Sequence, residues 1–549
     1  MNDIIEHTPA ASRRLAAIDV GTNSIRLVVA EVTPDRASRV IDDEKVVARL
    51  GRGLSLSGRL DEVAMHDAAQ AVAHLASIAG GFGASRIRAV ATCAVREAAN
   101  GGDFIELVRE MAGIDLEIVS AEEEARLAFS SVANAFDLRG MDVAVMDVGG
   151  GSTEIVLCSD ELVERIGTLE VGAVRLTEEL RLGAEPVSDT SCKVLKRRID
   201  RELRRRLGRT PFRPQLLIGT GGTFTNLAAM SMHRGAKGRG DDTLPFNVRG
   251  YELQHSEVKH LLELLRKMPQ RQRGAVPGLN PDRADIIVAG LAIVDRAMKH
   301  LRINRLRVHD GGIRAGLLHE MVAEEFPDTA TSRGTHVDRL RSVLHFAATC
   351  RHDQQHAEHV AVLALSIFDA LARCPDLDSS AWATTCNREL LHAAALLHDV
   401  GYLINYAKHH KHSYHLIMHS DLCGYTRTEL EIIANIARYH RGANPKAKHA
   451  GFARLSRENR QLVRRLAAIL RLAVGLDRSH AQRVRDVGVV CADGLAIFEV
   501  RAAEQPDVEL WGAERKSRLF EQTFGIRPRF QWVAAERARS GAAHRRHAG

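Results

Sequence analysis

One loop with the residue types of a phosphate and metal site occurs twice in this chain. Each copy, at 18–24 and 146–152, contains an aspartate, a glycine turn and at least one small hydroxyl residue. Glycines and small hydroxyl residues let backbone N–H groups approach a phosphate without a Cβ in the way. An aspartate just before the turn can hold a divalent cation, directly or through water. Two such loops facing each other would hold a phosphate chain and its metal, which predicts a site of phosphoryl transfer.

A β-hairpin is the element that must present each loop. Apolar residues precede both turns and return after them, over 25–29 and 154–157, as in two paired strands. Because the same hairpin opens two stretches of α/β pattern, we expect a duplicated fold with a cleft between its halves. The predicted lobes cover residues 13–135 and 136–325.

Further elements are predicted around and beyond these lobes. Helical periodicity covers 61–80, a strand covers 87–92, and Ser120 has the sequence context of a helix N-cap. The chain then changes character, since helical patterns dominate and histidine becomes frequent. The predicted regions are a helical domain at 336–480, a small α/β domain at 483–533 and a disordered basic tail at 534–549.

Length and composition indicate an ordinary globular protein. The 549 residues are 45% hydrophobic and 26% charged, and a chain of this length holds about three or four domains. No apolar run reaches the ~18 residues of a membrane span, and no signal peptide is evident. The eight cysteines are scattered singly, without the spacing of a zinc site or a disulfide framework. The cytoplasm is therefore the expected compartment, and no membrane partner is expected.

The charge balance favours an anionic partner. The chain has a net charge of +7 and a pI near 9.0. Its basic runs are either solvated helix faces or a track for a polyanion. Aromatic residues make up only 4% of the chain, which argues against base stacking on single-stranded nucleic acid. No helix-turn-helix, zinc-finger or RNA-recognition signature is present, so no specific nucleic-acid partner is expected.

Seven short segments, in their order along the chain, resemble those of the exopolyphosphatase and guanosine pentaphosphate phosphohydrolase family. They are DVGTNS at 19–24, ATCAVREA at 91–98, EEAR at 123–126, DVGGGSTE at 147–154, GTGGT at 219–223, RAD at 283–285 and DGGIR at 310–314. The resemblance implies two ribonuclease H-like lobes of the actin, sugar-kinase and heat-shock ATPase superfamily. It also implies that an all-helical domain and a small α/β domain follow them.

The resemblance also implies a division of roles in the cleft. Asp147 and Glu154, assisted by Asp19, would hold Mg²⁺ or Mn²⁺, and Arg96 would clamp a phosphate. Further phosphate contacts are expected from the two loops and the later glycine turn, through Thr22, Asn23, Ser24, Gly149, Gly150, Gly151, Ser152, Gly221 and Gly222.

A glutamate of the EEAR segment is expected to orient or deprotonate the attacking water. Three consecutive glutamates leave the register open by one position, and Ala121 replaces the family's usual glycine. We align Glu123 with the catalytic glutamate and keep Glu122 as the alternative.

The substrate implied by the resemblance is a terminal phosphoanhydride. Inorganic polyphosphate and guanosine pentaphosphate both present one, and the basic surplus favours polyphosphate. A homodimer is expected from the family. Two other interpretations stay open: an ATP-dependent kinase or ATPase of the same superfamily, and a sensor of guanosine tetra- or pentaphosphate with little turnover.

The histidine-rich region resembles the HD metal-dependent phosphohydrolases. In that group a histidine, a His-Asp doublet and a distant aspartate converge on one cation, which here corresponds to His356, His398, Asp399 and Asp477. Imidazole and carboxylate ligands suit Mn²⁺, Fe²⁺ or Zn²⁺. Further candidates for ligands or substrate contacts are His410, His412, His415 and His440. The alternatives are a catalytically silent domain, metal binding without turnover, a second hydrolase, and a metal-free phosphate-binding wall near 408–412 and 438–441.

Overall fold

The computed structural model describes residues 12–534 except 35, 37, 237–246, 327–338, 351, 376, 381, 421, 423 and 493. The predicted tail beyond residue 534 lies outside the described residues. The chain forms two compact units, residues 1–337 and 338–549. None of the helices in the described ranges is long and apolar enough to span a membrane.

The first half of the N-terminal unit is built on a five-stranded sheet. The strand order is β3-β2-β1-β4-β5, with an antiparallel β1–β2–β3 meander and parallel β4 and β5. The strands are β1 (Arg13–Val20), β2 (Ile25–Val32), β3 (Ser38–Val46), β4 (Arg86–Ala91) and β5 (Leu116–Ile118). The helices are α1 (Leu54–Ser57), α2 (Glu62–Gly81), α3 (Cys93–Glu97), α4 (Gly101–Ala112) and α5 (Ala121–Ala135).

The second half repeats the hairpin and the parallel strand beside it. Its six-stranded sheet has the order β10-β11-β9-β6-β7-β8. The strands are β6 (Asp142–Val148), β7 (Thr153–Ser159), β8 (Leu162–Leu169), β9 (Leu216–Thr220), β10 (Glu252–Gln254) and β11 (Arg305–Val308). The helices are α6 (Ala173–Glu179), α7 (Asp189–Glu202), α8 (Gly222–Ala236), α9 (His255–Arg266), α10 (Gln270–Gly274), α11 (Ile287–Leu301) and α12 (Ile313–Glu325), with a π-helical turn at Leu203–Leu207 and a 3₁₀ turn at Pro281–Arg283.

Two helices join the halves, because each packs on the sheet of the other half. Leu317 and Met321 of α12 share a buried cluster with Leu15 of β1. Val132 of α5 shares another with Val145 of β6. Because burial of apolar surface stabilises both contacts, these helices fix the hairpin loops relative to each other. The mixed sheets with helices agree with the predicted α/β class.

The C-terminal unit is mostly helical and ends in a three-stranded sheet of order β12-β13-β14. Its helices are α13 (Arg339–Thr349), α14 (Gln354–Ala372), α15 (Thr385–Leu397), α16 (His409–Met418), α17 (Arg427–Arg438), α18 (Ala450–Ala453), α19 (Arg457–Leu476), α20 (Asp507–Lys516) and α21 (Arg518–Phe524). A 3₁₀ turn covers Val400–Leu403, and the strands are β12 (Val484–Ala492), β13 (Leu495–Ala502) and β14 (Arg527–Ala534).

One core joins the helices and the strands of this unit. Leu472 of α19 and Phe498 of β13 belong to the same buried cluster. A disulfide also links Cys374, after α14, to Cys491 of β12 across a sequence separation of 117 residues. The expectation of cysteines without disulfides is therefore wrong at this pair, since so long a separation leaves no signal in local spacing.

Candidate active site

The two predicted loops have the same closed turn. The Gly21 N–H donates to Ser24 O at 3.2 Å, and the Gly149 N–H donates to Ser152 O at 3.0 Å. Just before each turn an aspartate lies opposite a charged partner on the returning strand. The first hairpin pairs Asp19 with Arg26, and the second pairs Asp147 with Glu154.

The loops face each other at close range. A Cβ added to Gly150 would lie 2.7 Å from the Cβ of Thr22, and one added to Gly151 would lie 2.5 Å from the Sγ of Cys93. Since real Cβ atoms do not approach so closely, only glycine fits these positions. The loops therefore form the two walls of one cleft.

Carbonyl groups of the second loop point away from this cleft. The Val174 N–H donates to Gly150 O at 2.9 Å, and Arg175 Nε donates to Gly151 O at 2.7 Å. Within the described ranges, the N–H groups of Gly150 and Gly151 have no backbone acceptor. They are therefore available to a bound anion.

Four carboxylates converge below the loops. Glu124 and Glu154 are buried, whereas Asp19 and Asp147 are partly open to the cleft. Burial and then Asp19 raise the pKa of Asp147 to about 6. Burial and then Glu124 hold the pKa of Glu154 well above its ordinary value. These carboxyls are thus hard to ionise together without a cation.

Unpaired oxygens show where such a cation fits. In the described part of the chain, Oδ1 of Asp19 and both carboxylate oxygens of Glu154 are buried without a hydrogen-bond partner. Buried polar atoms are nearly always satisfied in folded proteins. Oxygen donors of this kind suit Mg²⁺ or Mn²⁺, so the residues fit the metal that the sequence predicts.

Three arginines to which the sequence analysis gave no role also line the cleft: Arg26, Arg283 and Arg314. Arg283 is buried, and burial lowers its pKa to about 10. A Cβ on Gly222 would lie only 2.0 Å from Arg283 Nη1, so this glycine makes room for the guanidinium. The sequence signals for Arg283 and Arg314 were the RAD and DGGIR segments that contain them. These segments do not show which way either side chain points.

A family model described as "Ppx/GppA phosphatase family" matches residues 28–325, more than half of the chain. A second, described as "Ppx/GppA phosphatase, domain III", matches residues 339–505. The chain belongs to the Ppx/GppA phosphatase family. It is therefore an enzyme of phosphate hydrolysis, which confirms the predicted reaction class.

Three relatives each match a little more than half of this chain. Exopolyphosphatase 2 of Mycobacterium tuberculosis is 31% identical over 323 residues, which are 56% of this chain and 98% of the relative. A solved exopolyphosphatase from Cytophaga hutchinsonii is 25% identical with a TM-score of 0.52, covering 57% of this chain and 98% of its own. A Ppx/GppA family member from Aquifex aeolicus is 28% identical with a TM-score of 0.49, covering 58% and 100%.

The glutamate of α5 that lines the cleft is one residue beyond the Glu123 of our alignment. Glu123 is half exposed, and its N–H donates to the N-cap Ser120 Oγ at 3.1 Å. Glu122 is exposed and pairs with Arg126 at 2.8 Å. Glu124 instead lines the cleft. The prediction of Glu123 is thus not supported by position, because the buried face of α5 carries the next residue.

Arg96 lies behind the cleft wall, where it contacts Glu124 rather than the open space. Its Nη1 donates to Glu124 Oε2 at 3.0 Å and to Val119 O at 2.8 Å. Burial raises the pKa of Glu124 to about 7 while Arg96 opposes the shift. The other predicted phosphate contacts line the cleft: Thr22, Asn23, Ser24, Gly149, Gly150, Gly151, Ser152, Gly221 and Gly222.

In domain III the structure brings together His356, His398 and Asp399 as a buried group able to hold a metal. Asp477 stands behind this group, because its Oδ2 accepts from His356 Nδ1 at 2.7 Å. Asp477 therefore contacts a candidate ligand, and it does not belong to the group that could itself hold a metal. A second such group combines Asp399 with two further histidines, His409 and His440.

Of the additional histidine candidates only His440 enters a potential metal group within the described ranges. His415 is exposed and His412 is half exposed, while His410 lies against Gly442. His409, which the sequence placed only in a phosphate-binding wall, joins the group because it opens α16 beside Asp399.

Proposed function

We propose that the cleft hydrolyses the terminal phosphoanhydride of inorganic polyphosphate and releases orthophosphate. The observation that carries this proposal is the convergence of four carboxylates and three arginines between two loops with available N–H groups. The arginines would hold anionic phosphates, and the carboxylates would hold a divalent cation. The similarity to exopolyphosphatases agrees with this substrate class.

In this proposal Asp147, Glu154 and Asp19 hold Mg²⁺ or Mn²⁺. The unpaired oxygens of Asp19 and Glu154 and the pKa of Asp147, raised to about 6 by burial and by Asp19, support the assignment. The cation would offset the negative charge that develops on the terminal phosphoryl group. Arg26, Arg283 and the N–H groups of Gly150 and Gly151 would bind the non-bridging oxygens and align the phosphorus for in-line attack.

Glu124 is proposed as the residue that orients and deprotonates the attacking water. Its pKa of about 7 is close to the value that general-base catalysis favours near neutral pH. Arg96 fixes the carboxylate through its 3.0 Å contact. Arg96 is therefore assigned as a positioning residue, in place of the phosphate clamp expected from the sequence.

A guanosine pentaphosphate 5′-phosphohydrolase is the second candidate, since both substrates end in the same phosphoanhydride. The net charge of +7 favours the longer polyanion. A sensor of guanosine tetra- or pentaphosphate with little turnover is the third. We further propose a cytoplasmic homodimer, and a metal ion bound by His356, His398 and Asp399 in domain III.

Phosphate release with Mg²⁺ separates these candidates. Long-chain polyphosphate, guanosine pentaphosphate and ATP are compared at equal concentrations of terminal groups. The proposal expects polyphosphate to be cleaved fastest. Faster cleavage of guanosine pentaphosphate would move the role to that nucleotide, faster cleavage of ATP would favour an ATPase, and tight nucleotide binding without release would favour the sensor.

A further inference from the structure

Four imidazole rings surround one carboxylate in the C-terminal unit. Nε2 of His356 and His398 lie 3.9 and 3.4 Å from Asp399 Oδ2. Nε2 of His409 and His440 lie 3.1 and 3.5 Å from Asp399 Oδ1. All five side chains are less than a tenth exposed. Each carboxylate oxygen therefore faces its own pair of imidazole nitrogens.

The opposite nitrogen of every ring already faces an oxygen that only accepts hydrogen bonds. Each Nδ1 must therefore carry a proton, which leaves a lone pair on Nε2 of the neutral ring. The contacts are His398 to Ala395 O at 2.7 Å, His440 to Ala437 O at 2.7 Å, His409 to Tyr406 O at 3.1 Å and His356 to Asp477 Oδ2 at 2.7 Å.

This arrangement is unfavourable without added positive charge. Neutral rings would direct four lone pairs at a carboxylate, whereas four protonated rings would bury several charges with too few partners. Consistent with the first case, Nε2 of His356 and of His398 and Oδ1 of Asp399 have no hydrogen-bond partner among the described residues. A cation between the rings and each oxygen would satisfy them all.

We propose that Asp399 bridges two divalent transition-metal ions, an inference that rests on the metal ion proposed above for domain III. Its Oδ2 and the rings of His356 and His398 hold the first ion. Its Oδ1 and the rings of His409 and His440 hold the second. Within each set the ligand atoms lie within 4.8 Å of one another. The imidazole majority selects Mn²⁺, Fe²⁺ or Zn²⁺ over Mg²⁺.

Asp477 orients one of these ligands. Its Oδ2 accepts from His356 Nδ1 at 2.7 Å, and its Oδ1 accepts from the Gln482 N–H at 2.9 Å. A carboxylate that fixes the far nitrogen of a histidine ligand sets its tautomer and its direction. The Asp477 side chain is fully buried, so this contact is rigid.

Basic groups beside the site define the class of ligand that would bind there. Arg441 Nη1 lies 3.4 Å from His409 Nε2, and Lys516 is close enough to interact electrostatically with Asp399 and His440. Two ions bridged by a carboxylate, with cationic side chains at their edge, bind the oxygens of a phosphoryl group. We therefore assign a phosphoryl oxyanion as the third component of this site.

Metal analysis of the full chain tests the proposal without reference to turnover. The Asp147→Asn variant is used with millimolar Mg²⁺ present, so that the proposed cleft site should not take up Mn²⁺. After chelation and reloading, we expect about two Mn²⁺ per chain and a spin-coupled electron paramagnetic resonance spectrum typical of neighbouring ions. Added inorganic phosphate should change that spectrum, and Lys516→Met should weaken the phosphate effect.

Paired variants assign each ion to its ligands. His409→Gln with His440→Gln should retain about one Mn²⁺ per chain and lose the spin coupling, and Asp399→Asn should bind none. His415→Gln, an exposed histidine on the same helix as His409, is the matched control and should retain both ions. One ion or none in the folded starting protein, or two uncoupled ions, would overturn the proposal, and a spectrum unchanged by phosphate would overturn its oxyanion part.

Discussion

The two hairpins of the cleft share a backbone and differ in charge. Both close with a glycine N–H donating to a serine carbonyl, and both place an aspartate second from the end of the first strand. On the returning strand the first hairpin has Arg26 opposite Asp19, whereas the second has Glu154 opposite Asp147.

This difference shows how a repeated fold produces an asymmetric site. In the first hairpin a cation lies beside the acid, so that side can bind phosphate oxygens. In the second, two acids lie together, so that side can hold a metal. Burial, and then Arg314, lower the pKa of Arg26, whereas burial and Glu124 raise the pKa of Glu154. Both shifts favour binding of a group of opposite charge.

Among changes to the two hairpins, removal of the acid that is specific to the second hairpin should have the largest effect. Glu154→Gln is expected to weaken Mg²⁺ binding and lower kcat/KM by about 100-fold or more. Titration of phosphate release against Mg²⁺ measures both changes. Glu123→Gln makes the same chemical change on the half-exposed face of α5 and is the control. An unchanged Mg²⁺ dependence in Glu154→Gln would contradict the assignment of this hairpin to the metal.

Removal of the cation that is specific to the first hairpin should act on the substrate. Arg26→Met is expected to raise KM for polyphosphate about 10- to 100-fold, the usual cost of a lost charged hydrogen bond, with the Mg²⁺ dependence retained. Arg39→Met, an exposed arginine on β3, is the control. If Arg26→Met altered the Mg²⁺ requirement instead, the division of labour between the hairpins would be wrong.

A smaller effect should follow from displacing Arg283, an arginine that belongs to neither hairpin. A methyl group at Gly222 would lie 2.0 Å from Arg283 Nη1, so Gly222→Ala must displace this guanidinium. We expect about a 10-fold loss of kcat/KM with little change in Mg²⁺ dependence. Gly102→Ala, at a helical glycine with open space around its Cβ position, serves as the control. Full activity in Gly222→Ala would remove Arg283 from the phosphate site.

The smallest predicted effect is on stability. The folded pKa values of Asp147 and Glu124 are raised to about 6 and about 7. Their contribution to the free energy of unfolding is therefore complete below about pH 4 and is lost as pH rises through those values. With EDTA present, the contribution of these two groups to the free energy of unfolding should therefore be smaller at pH 8 than at pH 5.

Mg²⁺ should offset this loss, because it binds the ionised carboxylates. We expect Mg²⁺ to raise Tm by about 2–4 °C at pH 8 and by less at pH 5. The difference between the Mg²⁺-induced changes in Tm at pH 8 and at pH 5 should be smaller in Glu154→Gln. An equal Mg²⁺ effect at both pH values would contradict binding at groups with raised pKa values.

Local sequence was sufficient for features that depend on neighbouring residues. The glycine turns, the paired strands and the N-cap at Ser120 follow from residue types a few positions apart, and the structure contains them. The helical period alone does not choose between the glutamates, because Leu127, four residues after Glu123, and Ala128, four residues after Glu124, are both buried. Only the packing of α5 shows that Glu124 lines the cleft.

Features that depend on tertiary packing could not be predicted from the sequence. Arg26 is in a strand pattern that also fits an exposed side chain, and only the approach of α12 places Arg314 near it. Asp477 has the spacing of a ligand, but the carboxylate binds the far side of the His356 ring. The Cys374–Cys491 disulfide joins residues 117 positions apart. No local pattern contains such contacts.

The most direct test of the account compares Glu124→Gln with Glu123→Gln. Phosphate release from polyphosphate and polyphosphate binding are measured for both variants with Mg²⁺. The account predicts that Glu124→Gln loses about 10²- to 10⁴-fold in kcat and still binds polyphosphate, while Glu123→Gln retains nearly full activity. Loss of activity in Glu123→Gln with Glu124→Gln still active would contradict the catalytic assignment.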